Sequence, residues 1–272
     1  NARPMLALSS VTLAYALAPL RTPIAPAASN VRMETAADLE KLAKELNPAL
    51  GFWDPFGLTG DINLGGVSQT EAIGFLRHAE LKHGRVAMAA FVGYLVGASG
   101  LHWPWNIANG VSFASISEAG SPQAQWDALS TAAKLQILGF IGFLEVCSET
   151  SYILELSGEK HYMRGGKPGF FPSLKAVPWP HPIPLDFFDP FGFQKGMSPE
   201  KKSKALLAEI NNGRLAMFGI MAFVAESKVP GSVPALKGLI PAYSGEVMAP
   251  FTAGDLDLPF VKEMLTYSPF TS

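Results

Sequence analysis

Two stretches of this 272-residue chain repeat one pattern of ionisable and donor side chains. Glu80-Leu81-Lys82-His83-Gly84-Arg85-Val86-Ala87-Met88 and Glu209-Ile210-Asn211-Asn212-Gly213-Arg214-Leu215-Ala216-Met217 both read E-x-x-[HN]-G-R-x-A-M. An Asp-Pro-Phe-Gly turn precedes each copy, with Asp54 lying 26 residues before Glu80 and Asp189 lying 20 before Glu209. On an α-helix the Glu and the residue three later share a face, whereas the Arg five later points elsewhere. Glu and Arg so placed do not neutralise each other within one helix. Two such helices crossing about a two-fold axis let Glu80 meet Arg214 and Glu209 meet Arg85, and opposite partners are close to obligatory for charges held in a low-dielectric interior. After ion pairing each carboxylate keeps a free oxygen, and a neutral donor, His83 or Asn212, stands beside it. That set suits a hard, oxygen- and nitrogen-loving metal taking one axial ligand at a time, as magnesium does in a chlorin ring that supplies the equatorial nitrogens. A free Mg²⁺ or a catalytic zinc needs several protein ligands converging on one point and fits poorly.

The elements that must carry these side chains are legible as apolar segments. Residues 86–101 are an uncharged run of 16, residues 135–144 lie between Lys134 and Glu145, and residues 215–225 lie between Arg214 and Glu226. A bilayer core takes about 20 apolar residues to cross. Each segment reaches that length only by taking ionisable residues inside it, and those must face a protein interior and be paired. The expected helices cover 68–101, 129–157 and 199–228. Gly84, Gly93 and Gly97 on the first, with Gly213 and Gly219 on the third, are expected to permit close backbone approach, and the duplication implies a pseudo-symmetric helix pair.

Composition sets the surroundings. Charged residues make up 16% of the chain, against roughly 25% in a soluble domain, and the mean hydropathy is +0.20, which implies a partly lipid environment. Lys and Arg number 21 against 23 Asp and Glu, so no basic excess exists to hold nucleic acid. A single cysteine, Cys147, excludes an intramolecular disulfide framework and any Cys-rich metal site. Residues 1–33 hold Arg3, Arg21 and Arg32 and no acid, the balance of a targeting remnant, with an extended N-terminal tail as the alternative. Residues 34–272 read as one membrane domain, with loops at 167–184 and 230–250 and a short surface helix around 233–239.

With these residues in place, the chain resembles the three-helix family of chlorophyll-binding light-harvesting antenna proteins, over roughly residues 51–228. The resemblance implies an all-α membrane protein of three transmembrane helices. The first and third are crossed and pseudo-two-fold related, a shorter one lies beside them, and a short surface helix and long loops complete the fold. It implies that Glu80, His83, Glu209 and Asn212 are axial ligands to chlorophyll magnesium and that Arg85 and Arg214 compensate their charge. Gln136 and Glu145 resemble the two middle-helix ligands, with Glu149 competing for the second place. Glu226 stands where the family often carries a Gln ligand, and a carboxylate there needs its own cation or a bound water. The Asp-Pro-Phe-Gly turns with Trp53, Phe56, Phe188 and Phe191 resemble the sites of two carotenoids. His78, His102, His161 and His181 read as interfacial or loop residues, although His102, beside Trp103 and Trp105, sits where a peripheral pigment could bind. Trp103, Trp105 and Trp126 read first as a membrane-interface belt.

The implied function is light absorption and resonance transfer of excitation to a photosystem, photosystem I in preference to photosystem II. The implied location is the plastid thylakoid membrane, as an integral multi-pass protein among neighbouring antenna subunits and membrane lipids. No bond is made or broken, so no residue is catalytic and the protein is not an enzyme. Chlorophyll a, chlorophyll c in preference to chlorophyll b, xanthophyll carotenoids and bound lipids are the expected cofactors. The Glu-Leu-Lys-His-Gly-Arg form and residues 136–145 resemble the chlorophyll a/c antennae of red-lineage algae. A photoprotective, energy-dissipating member of the same fold is the alternative, in which the loop acids Glu155, Glu159, Asp255 and Asp257 would matter. A small membrane enzyme or transporter using His78 and His83 is the rival from another class, without a nucleophile–base pair, phosphate loop or clustered metal ligands to support it. Arg214→Leu is expected to prevent assembly by leaving Glu80 unpaired.

Overall fold

The computed structural model describes residues 35–60, 66–108, 110–177, 187–194, 196–247 and 249–266. The expected targeting segment 1–33 lies outside the described residues, as do His181 and the later part of the 167–184 loop.

The first element lies ahead of the three expected helices. Thr35 caps α1 (Ala36–Leu46) through a reciprocal box in which its hydroxyl accepts the Asp38 N–H while the Asp38 carboxylate accepts the Thr35 N–H. Leu39, Leu42 and Leu46 recur at helical spacing on one face. Leu42 and Leu46 pack against Leu81, Leu207 and Ile210 of the two long helices, and Asn211 Nδ2 donates to the Leu46 carbonyl at 3.4 Å.

α2 (Gln69–Ala98) opens on a second capping box, between Ser68 and Glu71. A short antiparallel pair follows, β1 (Asn106–Ala108) and β2 (Val111–Ser112). Two small helices, α3 (Phe113–Ser117) and α4 (Pro122–Asp127), then lead into α5 (Thr131–Glu149). The spacing predicts one middle helix over 129–157; instead the chain turns extended at Thr150, whose hydroxyl donates back to the Val146 carbonyl, and resumes as α6 (Ser151–Leu156). α7 (Pro199–Lys228) starts with Ser198 as N-cap and Pro199 at its first position, where the missing N–H has no helical partner to lose. The surface helix expected around 233–239 is a single 3₁₀ turn, Pro234–Leu236; a helical turn forms later as α8 (Val261–Thr266).

α2 and α7 cross at Gly84 and Gly213. A Cβ on Gly213 would lie 2.9 Å from the Gly84 Cα, and one on Gly84 would lie 3.1 Å from the Gly213 Cα. The contact is reciprocal, as a two-fold relation demands. Gly219 makes room for the Phe91 ring, 2.8 Å from where its Cβ would stand, and Phe223 of α7 stacks on both Phe91 and Tyr94 with ring centroids 5.0 and 4.9 Å apart. The expectation for Gly93 and Gly97 fails: nothing lies within 4 Å of a Cβ at Gly93, and Gly97 faces Pro122 and Gln125 of α4 instead of α7.

Among the described residues one helix, Thr131–Glu149, is long and apolar enough to cross a membrane by length and composition. Leu135, Phe140, Ile141 and Val146 stand exposed along it. α2 and α7 each run 30 residues, about 45 Å of rise, with charged residues set along them.

The C-terminal segment folds back on the start of α5. Lys134, 1% exposed, pairs with Asp255, 3% exposed, at 2.7 Å, and Thr131 also donates to the Asp255 carboxylate. Asp255 is therefore an interior residue, which corrects its expected place among exposed loop acids. Burial raises its carboxyl, but the bonds from Lys134 and Thr131 outweigh burial and hold it well below the usual carboxylate range. As pH falls the unfolded chain takes up the proton first, so this stabilisation is complete above about pH 4 and is lost below it. Asp255→Asn leaves the Lys134 ammonium buried without its anion and should cost about 3 kcal/mol at neutral pH. Melting followed by helical circular dichroism should show the gap to the parent narrowing below about pH 4; a gap independent of pH would count against the ion pair.

Candidate cofactor-binding site

The crossing brings the repeated motifs together as their spacing requires. Arg85 Nε donates to Glu209 Oε1 at 2.6 Å, and Arg214 Nε donates to Glu80 Oε1 at 2.7 Å. The two copies differ in what else they touch. Arg85 also donates through Nη1 to the Gly169 carbonyl at 2.5 Å, while Glu80 receives a second cation, Arg77, on Oε2. The expectation of a free oxygen on each carboxylate therefore holds for Glu209 among the described residues and not for Glu80. Leu206 stands at the equivalent place before Glu209, so the second copy cannot make the Arg77 contact.

The neutral donors face outward. His83 is exposed, and its Nδ1 lies 2.8 Å from the Ala79 carbonyl. A carbonyl only accepts, so Nδ1 carries a ring proton, and in the neutral ring Nε2 presents a bare lone pair, the state a metal ligand needs. Asn212 is exposed at the matching point of α7, and Gln136 is exposed on α5. Glu145 is exposed on α5 with one oxygen accepting Lys82 Nζ at 2.6 Å.

Glu149, the competitor of Glu145, is the hub of a polar cluster joining α2, α5 and the connection after α6. It accepts from Lys82 Nζ at 2.7 Å, from the Tyr162 hydroxyl at 2.9 Å and from His161 Nε2 at 3.1 Å. Burial and the Glu149 carboxylate push the Tyr162 hydroxyl up to about 12, which keeps it a donor. Tyr162 in turn stacks on His78 at 3.9 Å, and a Cβ on Gly74 would lie 2.7 Å from the Tyr162 carbonyl. The Gly169 N–H donates to His78 Nδ1 at 3.0 Å, so neutral His78 carries its proton on Nε2 and has no lone pair to offer there. None of this cluster is legible locally, since Lys82 and Glu145 are 63 residues apart.

Glu226 is 1% exposed. Its two oxygens accept the backbone N–H groups of Gly231 and Val233 at 2.8 and 2.9 Å. The turn after α7 supplies what the sequence suggested a cation or water must supply, and both oxygens are committed to it.

The repeat extends to the turns. The Asp54 carboxylate accepts from Leu58 and Thr59 N–H, and that of Asp189 accepts from Phe193 and Gln194 N–H, the same four- and five-residue offsets. Beside these turns Trp53 is 78% exposed and Phe56 and Phe191 are each 80% exposed, with Phe188 half exposed. Among the described residues no three His, Cys, Asp or Glu side chains converge on a point that could hold a metal ion.

Two long helices locked by reciprocal charge pairs, with single donors facing outward between apolar surfaces, define a helical scaffold for cofactors bound one ligand at a time. The chain belongs to the chlorophyll A-B binding protein family, whose model it matches over residues 38–228. It is 35% identical over 208 residues to fucoxanthin-chlorophyll a-c binding protein F of Phaeodactylum tricornutum, covering 75% of this chain and 88% of that one. It is 32% identical over 222 residues to a fucoxanthin-chlorophyll a-c binding protein of Trieres chinensis, covering 81% of this chain and 92% of the relative. Both relatives are chloroplastic. The protein is accordingly a light-harvesting antenna of the thylakoid membrane and not an enzyme.

Proposed function

We propose that the chain spans the thylakoid membrane three times, through α2, α5 with α6, and α7. In this reading it holds chlorophylls on Glu80, His83, Gln136, Glu145, Glu209 and Asn212 as axial ligands to magnesium. His83 carries the reading: its tautomer, set by the Ala79 carbonyl, leaves Nε2 bare and exposed. Arg85 and Arg214 supply the opposite charges that the two glutamates need at the crossing. Glu226 is left out of the ligand set, because it is 1% exposed and both its oxygens hold backbone N–H groups, whereas Glu80, whose oxygens meet arginines, keeps a side chain 24% exposed. The names of the relatives favour chlorophylls a and c with fucoxanthin over chlorophyll b. Bound chlorophyll supplies the absorbing and energy-passing transitions; the protein supplies fixed separations and orientations.

The exposed aromatics of the two Asp-Pro-Phe-Gly turns are proposed walls for carotenoids, whose polyenes suit rigid apolar surfaces. Residues 1–33 are proposed as a targeting remnant or tail, residues 34–272 as one pigment-binding domain, and photosystem I with neighbouring antenna subunits as the assembly it joins. Co-migration with photosystem I in native gels tests the last point, and migration with photosystem II alone would overturn it. Asp255 is buried and paired, which removes one of the acids a pH-triggered photoprotective form would use.

His83→Leu should yield a folded protein lacking a single chlorophyll, whereas His83→Asn, which copies the donor of the second repeat, should keep it. Pigment extraction and chromatography against polypeptide amount give the count. A full complement in His83→Leu would refute the ligand assignment.

A further inference from the structure

The four described histidines divide by the backbone group that each ring meets. His78 Nδ1 accepts the Gly169 N–H at 3.0 Å, and His161 Nδ1 accepts the Met163 N–H at 3.3 Å. Both therefore carry their proton on Nε2 when neutral and offer no lone pair there. His83 Nδ1 meets the Ala79 carbonyl at 2.8 Å, and His102 Nδ1 meets the Trp103 carbonyl at 3.0 Å. In these two the proton is drawn to Nδ1, Nε2 is bare, and the ring is exposed. The tautomer a ligand needs is thus set by main-chain partners at two positions, of which the duplicated motif covers one.

His102 lies in a surface unlike that of an ordinary exposed histidine. Leu101 is 70% exposed, Trp103 61% and Trp105 55%. The two indoles stack at 4.8 Å with 19° between their planes, a flat, exposed apolar slab one and three residues after His102. The segment is held in place rather than trailing. Gly100 turns out of the helix with φ 72° and donates to the Gly97 carbonyl, and the Trp105 carbonyl accepts the Phe113 N–H. A neutral nitrogen donor set in a flat apolar surface suits a planar macrocycle whose metal has one axial place open.

We propose that His102, through Nε2, is an axial ligand for a further magnesium tetrapyrrole, seated against Trp103 and Trp105 beyond the end of α2. This rests on the pigment-binding reading above. It is a separate site from that of His83: α2 runs on to Ala98 after His83, about 22 Å of helix rise.

The test uses the full chain assembled with its pigments, counting chlorophyll per polypeptide in His102→Leu, His83→Leu, the double variant, and His102→Gly with and without free imidazole. Each Leu variant should lose one chlorophyll and the double variant two, with helical circular dichroism unchanged. Free imidazole should restore the pigment to His102→Gly, which a packing role for His102 would not allow. A parent-level chlorophyll count in His102→Leu alongside a loss in His83→Leu overturns the His102 site and leaves the general reading standing. Loss of pigment and helix together, without rescue by imidazole, also overturns it, since His102 would then anchor the fold. If both Leu variants keep every chlorophyll, the axial-histidine reading fails at both positions.

Discussion

Arg85→Leu is expected to prevent assembly of a stable pigmented protein, and to do so more completely than Arg214→Leu. The repeat alone makes the two arginines equivalent and predicts that Arg214→Leu strands Glu80. The structure separates them. Without Arg214, Glu80 still has Arg77 on its second oxygen. Without Arg85, no second cation reaches Glu209 among the described residues, and the Gly169 carbonyl loses its donor as well. A charge left unpaired in a buried site costs about 3–5 kcal/mol. Arg85 and Glu209 side chains are 37% and 29% exposed, so about 3 kcal/mol at the crossing is the reasonable magnitude, against about 1 kcal/mol for Arg214→Leu. Refolding yield and the thermal midpoint of the pigmented protein measure the difference. Equal losses would show that Arg77 does not stand in for Arg214, and a stable Arg85→Leu protein with full pigment would sink the crossed-pair account.

Gly213→Val should be as damaging for a different reason. The first added carbon would already stand 2.9 Å from the Gly84 Cα, a backbone atom that cannot move unless the whole helix does. Separating the helices pulls apart both Glu–Arg pairs and the stacking of Phe223 on Phe91 and Tyr94. Strain and lost contacts together should exceed about 3 kcal/mol. Gly93→Ala is the control, because its Cβ meets nothing within 4 Å and Ala is the better helix former by about 1 kcal/mol. Assembly of both variants, compared by pigment yield and melting, checks the pair. A Gly213→Val protein that assembles like Gly93→Ala would show that the close crossing is not required.

Much of the fold was legible because the signals are local or repeated. Helical periodicity, the Ser-x-x-Glu box before α2 and the Ser-Pro start of α7 act within a few residues, and the doubled motif states its own partner by symmetry. The signal for α1 was also present, in Thr35, Asp38 and the leucines at 39, 42 and 46. The break at Thr150 is marked only weakly in the sequence, by Ser148, Thr150 and Ser151 between two apolar, helix-forming stretches.

For the site, the residue types and their spacing determined by themselves that Glu80 and Glu209 must find Arg214 and Arg85 across a helix crossing. A lone carboxylate in an apolar setting has no stable alternative, and each helix offers the same arrangement to the other. Tertiary structure alone decided which groups remain available to a cofactor. Glu226 is spent on two amides seven residues or fewer away and Glu149 on a lysine, a tyrosine and a histidine from other elements, while Glu80 shares its second oxygen with Arg77 and stays partly exposed. The same holds for the histidines, where an N–H or a carbonyl beside Nδ1 sets which ring nitrogen keeps its lone pair. Residue type states what a side chain can bind; the folded chain decides which of its atoms are already bound.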